Sequence, residues 1–355
     1  MDTTAGNIAF DSDGNCNFCE DFRLKLEENS NNNENFDLLI KKIKKNGKGK
    51  KYDCIVGVSG GVDSSWVLVK VKSLGLNPLA VHMDNGWNSE LAQNNIENLV
   101  KVLGVDLYTH VINWNEYKAF MNAFFDADVI DVELLYDNAM LAVNYMLAHK
   151  YNLKYILSGT NIATEGMKMP IGWNWFKYDR ANIKFIGRNF RNVKPKSLPL
   201  LGTFKYVYFR FFKGILWVPF LNYFDYKKEE ALNVLTDKYN FKRYLNKHYE
   251  SIFTRFYQGF ILPEKFKVDK RKLHFSTLII SGQMTREEAL LLIEKSPYDS
   301  IDKLNSDKEY FLKKMDWTAS DLDKYINRES KSHMDYNSEI KIWSFLFNIY
   351  KKAKK

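Results

Sequence analysis

Ser59-Gly60-Gly61-Val62-Asp63-Ser64 is the string best equipped for chemistry in this chain of 355 residues. Two adjacent glycines let the backbone approach a bound group closely and take conformations barred to other residues. Ser59 and Ser64 bring short hydroxyl donors. The apolar run Cys54-Ile55-Val56-Gly57-Val58 leads into the string, and helically spaced residues from Val62 to Ser73 follow it. A loop between a buried strand and a helix aims backbone N–H groups and the positive helix end at one point, which suits an anion. Asp63 cannot itself attract phosphate, so its expected task is to hold Mg²⁺ against it. A Walker loop is excluded, because that motif needs a lysine at its end and the first lysine after this string is Lys70.

The elements around this loop form a rhythm. A second strand, Leu79 to Met83, ends at His82-Met83-Asp84 and the turn Asp84-Asn85-Gly86. A polar helix over about residues 89–103 leads to a third strand over 106–112. A long helical region over about 116–150 precedes a fourth strand, Lys154-Tyr155-Ile156-Leu157. Strands alternating with helices imply an α/β, doubly wound parallel sheet with ligands at the carboxyl ends of the strands. The fourth strand runs into Ser158-Gly159-Thr160-Asn161 and then Ala163-Thr164-Glu165-Gly166. Glu165 reads as a metal ligand, a base or a helix-start carboxylate; His82 reads as a site residue or a satisfied core histidine.

Composition sets the outer limits. The chain is 45% hydrophobic and 27% charged, which fits a globular protein rather than a disordered or fibrous one. The net charge of +9 favours polyanionic partners: nucleotides, nucleic acid or an anionic membrane. Three cysteines make no disulfide scaffold, and no apolar leader segment follows Met1, so a cytoplasmic location is expected. The longest uncharged run near the middle, Gly214 to Phe224, is too short to span a bilayer. Four regions are expected. Residues 1–51 carry Cys16-x-x-Cys19, the Asn-rich stretch Asn29 to Asn35 and a lysine-rich linker, and read as non-compact. Residues 52–166 hold the sheet, and its alternation is expected to stop after Gly166. Residues 167–226 are aromatic and basic, with no acid between Asp179 and Asp225, and read as a cover over the substrate, as a membrane-surface contact or as plain core packing. Residues 227–355 read as helical, with Thr285-Arg286-Glu287-Glu288 as a capping box.

The phosphate loop resembles the S-G-G-x-D-S pyrophosphate loop of the ATP pyrophosphatases, whose fold is adenine nucleotide alpha hydrolase-like. The resemblance implies ATP and Mg²⁺, cleavage between the α and β phosphates, an adenylylated substrate oxygen and released pyrophosphate. It implies that Val58, Ser59, Gly60, Gly61, Val62, Asp63 and Ser64 hold the nucleotide, with Gly159 and Thr160 closing over its phosphates. His82, Met83 and Asp84 would lie against adenine.

Strings outside the loop resemble the N-acetyl sugar amidotransferases of bacterial surface-glycan synthesis over almost the whole chain. They are Met1-Asp2-Thr3-Thr4, Asp13 to Cys19, Gly159 to Gly166, Lys247-His248-Tyr249-Glu250-Ser251, Thr254 to Gln258, Asp269-Lys270-Arg271-Lys272 and Ser281 to Ala289. That family implies conversion of an acetamido group on a nucleotide-activated sugar into an acetamidino group, for O-antigen polysaccharide or flagellin glycan. Asp63, Asp84, Glu165, Lys270 and Arg271 become the expected catalytic residues, the last two neutralising the departing pyrophosphate. The family also implies a separate glutaminase and an ammonia-conducting barrel resembling imidazole-glycerol-phosphate synthase, and no nucleic-acid partner. Relatives carry a second C-x-x-C ahead of Met1-Asp2-Thr3-Thr4 that completes a four-cysteine Zn²⁺ site. Here Cys16 and Cys19 are half of it. The rival reading within the superfamily is a lysidine-type tRNA-modifying enzyme, which the positive charge would suit. Thiolation is disfavoured, since no cysteine follows Cys54.

Overall fold

A computed structural model describes residues 1–30, 35–244 and 250–354. Helices α1 (Asn17–Ser30) and α2 (Phe36–Gly47) precede strand β1 (Cys54–Gly57). Alternation follows with α3 (Val62–Ser73), β2 (Pro78–Asp84), α4 (Glu90–Leu103), β3 (Leu107–Val111), α5 (Trp114–Asp126), α6 (Leu134–Lys150), β4 (Tyr155–Ser158) and the single turn α7 (Ile162–Glu165). Next come α8 (Arg180–Arg191), α9 (Thr203–Val207) with a π-helical continuation over Tyr208–Phe212, and β5 (Leu216–Pro219). The remainder is helical: α10 (Lys228–Tyr239), α11 (Ile252–Phe256), α12 (Leu262–Phe266), α13 (Arg271–Ile280), α14 (Arg286–Glu294), α15 (Ile301–Met315), α16 (Ala319–Asn327) and α17 (Ile340–Lys354).

All neighbouring strands run parallel, in the order β3-β2-β1-β4-β5. A parallel sheet is covered on both faces, which accounts for the unbroken apolar text of its strands. Cys54, Ile55 and Val56 are fully buried, as are Ala80 and Leu157. One face packs on Val67, Leu68 and Val71 of α3, and the other on Phe120 and Phe124 of α5 and Ala139 and Val143 of α6. The strand order reverses between β1 and β4, and a crevice opens at their carboxyl ends.

Three features depart from the sequence reading. Alternation does not stop at Gly166: β5 lies inside the aromatic stretch and pairs with β4 from Tyr155↔Leu216 to Ser158↔Pro219. Four residues ending in proline make a weak strand signal, and proline is tolerated there because β5 is an edge. Residues 1–51 do pack, since Phe18 and Phe22 of α1 and Ile40 and Ile43 of α2 are buried while Lys41, Lys42, Lys44 and Lys45 face water. Their polar composition conceals narrow apolar stripes at helical spacing. The helical region 116–150 is two helices, with Asp128 at φ +55° in the break between them.

That break is also where the C-terminal part returns to the sheet. Lys331 N–H donates to the Asp128 carbonyl at 3.0 Å. Buried His333 stacks on Trp175 with ring centroids 5.0 Å apart. Asp131 N–H donates to His333 Nε2 at 3.2 Å, so the ring proton sits on Nδ1, 2.8 Å from Asn182 Oδ1. Burial pushes the imidazole pKa down from 6.5 to about 4. The unfolded chain therefore takes up this proton before the folded chain does, and stability is lost as pH falls from 6.5 towards 4. Urea denaturation across that window should show a loss from this group of at most roughly 3 kcal/mol. His333→Gln should flatten the slope; an unchanged slope in the variant would assign it to other groups.

Candidate active site

Gly60 adopts φ +83°, and a Cβ there would stand 2.7 Å from the Ala92 carbonyl oxygen. Gly159, after β4, has no space for a side chain either: its Cβ would meet Ser64 N at 2.8 Å and the Asp63 carbonyl carbon at 2.9 Å. The two loops therefore touch backbone to backbone at the start of α3. The serines hold the loop in shape as well as facing the crevice. Ser64 Oγ accepts from Ser59 N–H at 3.1 Å, and Ser59 Oγ accepts from Gly61 N–H at 3.3 Å. Tyr244 steadies the loop from outside, donating to the Gly60 carbonyl at 2.8 Å. Beside it, Ser158 Oγ and Thr160 Oγ1 lie 2.5 Å apart, and Asn161 caps α7 by accepting from Thr164 N–H at 2.8 Å.

A cleft of about 1110 Å³ opens above these loops, slightly beyond the roughly 300–1,000 Å³ usual for one small-molecule site. Its floor is Val58, Ser59, Gly61, Val62, Asp63 and Ser64, with Gly159, Thr160 and Glu165 alongside. An apolar flank comes from Val81, Met83, Met140 and Trp217. Within that flank Asn144 Oδ1 is buried and has no hydrogen-bond partner among the described residues, an acceptor awaiting a donor. The opposite wall belongs to the C-terminal part: Glu250, Thr254, Gln258, Lys270, Arg271 and His274.

The structure thus brings Asp63, Glu165, Lys270, Arg271 and the loop residues to one cleft. Tyr226 donates its hydroxyl to Asp63 Oδ1. Burial, then the charges of Asp63 and Glu165, hold its pKa far above the ordinary value, so it remains a donor. One or two carboxylates together with substrate phosphates are the usual Mg²⁺ ligand set, and Asp63 and Glu165 beside an anion cradle fit it. Lys270 reaches Glu133 at 3.1 Å, and Glu133 also accepts from Gln258 at 2.8 Å. The Arg271 guanidinium is committed to Asp269 at 2.7 Å and to the carbonyls of Leu292 and Lys295, tying α13 to the end of α14.

His82 and Asp84 stand apart from this group. Strand alternation turns Val81 and Met83 into the cleft and leaves their neighbours out of its lining. His82 is buried, with Nδ1 2.9 Å from the Val58 carbonyl and Nε2 3.0 Å from Asn88 Nδ2; burial lowers its pKa. Asp84 fixes the following turn by accepting from Gly86 N–H at 2.8 Å. Cys16 and Cys19 place their sulfurs 3.1 Å apart. Among the described residues no group of three or more His, Cys, Asp or Glu is arranged to hold a metal, so the two thiols alone do not fit a four-ligand zinc site.

The family-like strings of the sequence converge in space. Lys272 pairs with Asp2 at 2.6 Å, and His274 Nδ1 lies 3.2 Å from the Thr164 carbonyl. Ser281 donates to the Ala163 carbonyl at 2.7 Å. Thus His274, two residues beyond Asp269–Lys272, and Ser281, the first residue of Ser281–Ala289, both brace α7. Lys247, His248 and Tyr249 lie outside the described residues. Tyr226, Tyr244, Asn144 and Gln258 are site residues to which the sequence alone assigns no role. Gln258 lies in one of the family-like strings; no spacing marks the other three.

Comparison with known proteins agrees with this two-part construction. Residues 32–173 match the family model described as NAD synthase. Residues 250–351 match the one described as LPS biosynthesis protein WbpG-like, C-terminal domain. No curated protein matches the chain. Among solved structures, NMN synthetase from Francisella tularensis is 15% identical, with 81% of this chain and 95% of that one covered and a TM-score of 0.33. NH3-dependent NAD synthetase from Campylobacter jejuni is 14% identical, with 62% and 83% covered and a TM-score of 0.30. A predicted subunit of tRNA methyltransferase from Methanocaldococcus jannaschii is 17% identical, with 52% and 73% covered and a TM-score of 0.30. The chain thus sets a phosphate-loop part similar to NAD synthase against a C-terminal wall similar to the WbpG-like lipopolysaccharide biosynthesis proteins.

Proposed function

We propose that this protein converts the acetamido group of a nucleotide-activated N-acetyl sugar into an acetamidino group, at the expense of ATP, for O-antigen or flagellin glycan. The observation that carries this reading is the shared cleft: the phosphate loop forms its floor and the segment matching the lipopolysaccharide family forms its far wall. A volume above that of a single-ligand site leaves room for a second substrate beside ATP.

An amide carbon is a poor electrophile because its nitrogen donates into the carbonyl. In the proposed reaction the amide oxygen attacks the α-phosphorus, the bond to the bridging oxygen breaks, and pyrophosphate leaves. Ammonia adds to the resulting O-adenylyl imidate carbon, a proton is lost from nitrogen, and AMP departs with the former amide oxygen. The backbone N–H groups at the start of α3 hold the pyrophosphate as its charge grows. Lys270, on the opposite wall, adds a cation, and Arg271 contributes through its fixed position beside Asp269. Asp63 and Glu165 would hold Mg²⁺, which supplies charge neutralisation on the phosphates when bound. Adenine is assigned to the flank of Val81 and Met83, where Asn144 Oδ1, without a partner among the described residues, would accept from its amino group. Ammonia comes from a separate glutaminase through a barrel-type partner.

Mass spectrometry tests the reaction directly. Incubation with ATP, Mg²⁺, ammonium and a UDP-N-acetyl sugar panel should yield AMP and a sugar lighter by the difference between oxygen and NH; ADP as product overturns the reading. Asp63→Asn should lower AMP formation at least about 100-fold with an unchanged melting temperature, and an active variant would remove Asp63 from the metal site. Tyr226→Phe takes away the donor that competes with a cation for Asp63. A hydrogen bond to a charged group is worth roughly 1.5–3 kcal/mol, so the Mg²⁺ concentration for half-maximal ATP–pyrophosphate exchange should fall about tenfold or more. An unaltered requirement would mean that the hydroxyl and the metal do not compete.

A further inference from the structure

The π-helical turn over Tyr208–Phe212 buries Phe209 against Tyr145, with stacked rings 5.8 Å apart, and leaves Tyr208, Phe211 and Phe212 in water. Helix α17 lies beside it: Tyr350 meets Phe211 at 5.5 Å, and Trp343 packs on Phe176, Tyr178 and Tyr206 at 5.0 to 5.4 Å. Beyond that one seam the helix is bare. Ile342, Phe345, Phe347 and Ile349 are exposed, Phe345 to 65% and Phe212 on the neighbouring turn to 79%. A helix apolar on nearly every side is ordinarily buried, and a contiguous apolar patch marks an interaction surface.

Charge identifies the occupant. Every charged residue in 203–213 and 340–352 is basic: Lys205, Arg210, Lys213, Lys341, Lys351 and Lys352. Three of these stand by the rings of the patch, Arg210 at 5.6 Å from Phe211, Lys213 at 5.3 Å from Tyr208 and Lys351 at 4.9 Å from Phe347. The acid that precedes α17, Glu339, is turned inward and accepts from Thr203 N–H at 2.6 Å. Protein–protein interfaces are depleted of lysine at their apolar centres. Aromatic rings mixed with lysine and arginine are instead the pattern of helices lying at the headgroup boundary of anionic membranes. Among the described residues no helix is long and apolar enough to cross a membrane, so the contact is peripheral.

We propose that the Tyr208–Phe212 turn and α17 together form a docking face for an anionic lipid surface, holding the protein at a membrane with its cleft intact. This assignment is independent of which sugar, if any, the cleft modifies. Co-sedimentation of the full chain with equimolar phosphatidylglycerol–phosphatidylcholine vesicles tests it, with phosphatidylcholine vesicles as the neutral arm. Binding should be at least about tenfold stronger to the anionic vesicles and should weaken as salt is raised. Phe212→Ser combined with Phe345→Ser should reduce it about tenfold or more, and Lys351→Glu combined with Lys352→Glu should do the same, both with unchanged melting curves. Equal binding to both vesicle types overturns the proposal, as does no binding to either. Concentration-dependent self-association abolished by the serine variant, without vesicle binding, also overturns it and assigns the face to a second copy. A partner protein is indicated instead if the serine variant leaves vesicle binding unchanged.

Discussion

The close approach of Gly159 to the first turn of α3 is the constraint on which the site depends. A single methyl group at that point would drive β4 and the phosphate loop apart. With both positions glycine, the carboxyl ends of two adjacent strands meet where the sheet order reverses. The phosphate loop and the Gly159 loop then open onto one space rather than two. Gly60 makes the same demand on the other side, against α4. Such a site is set by excluded volume before any charge is considered, and Ser59, Ser64 and Tyr244 keep an arrangement that the glycines permit.

The C-terminal helices complete what the sheet begins. Arg255 and Asp307 form a buried bidentate pair at 2.6 and 2.7 Å, with Tyr298 also donating to Asp307 at 3.1 Å. This pair fixes α11, a wall of the cleft, to α15 behind it. Burying two charges is costly, and geometry of this quality is what offsets the desolvation. Further along, Lys177 is held between Asp131 at 2.6 Å and Asp137 at 2.8 Å. Burial disfavours the Lys177 charge, but the two carboxylates outweigh it and raise its pKa. These buried polar links therefore hold α11 on α15 and residue 177 on the start of α6.

Much of the phosphate side is legible in the sequence because its signals are local. A β-branched run, two glycines and a helical repeat occupy consecutive positions, so β1, the loop and α3 follow from the order of residues alone. The resemblance of the Thr254–Gln258 and Asp269–Lys272 strings likewise points to a C-terminal contribution, and these segments do line the cleft. What the sequence hides depends on contacts between distant positions. Tyr226 meets Asp63 across 163 residues, and no periodicity encodes that meeting. β5 escapes notice because an edge strand of four residues gains its order from β4 rather than from its own composition. His82 is ambiguous because the direction of one side chain on a buried strand depends on register, and here Val58 and Asn88 satisfy both ring nitrogens.

Glu133 has a bearing on how such proteins could diversify. It belongs to the sheet half, yet it receives both Lys270 and Gln258 from the C-terminal half. Arg255 and Asp307, by contrast, travel together within one segment. A gene crossover between the two halves would leave the second pair whole and hand Lys270 a stranger at position 133. Exchange of C-terminal parts between relatives is therefore constrained at Glu133, and likewise at Asp2 and Asp128, which pair with Lys272, Lys265 and Arg328; recombinants that inherit acids there start with an electrostatic match already made.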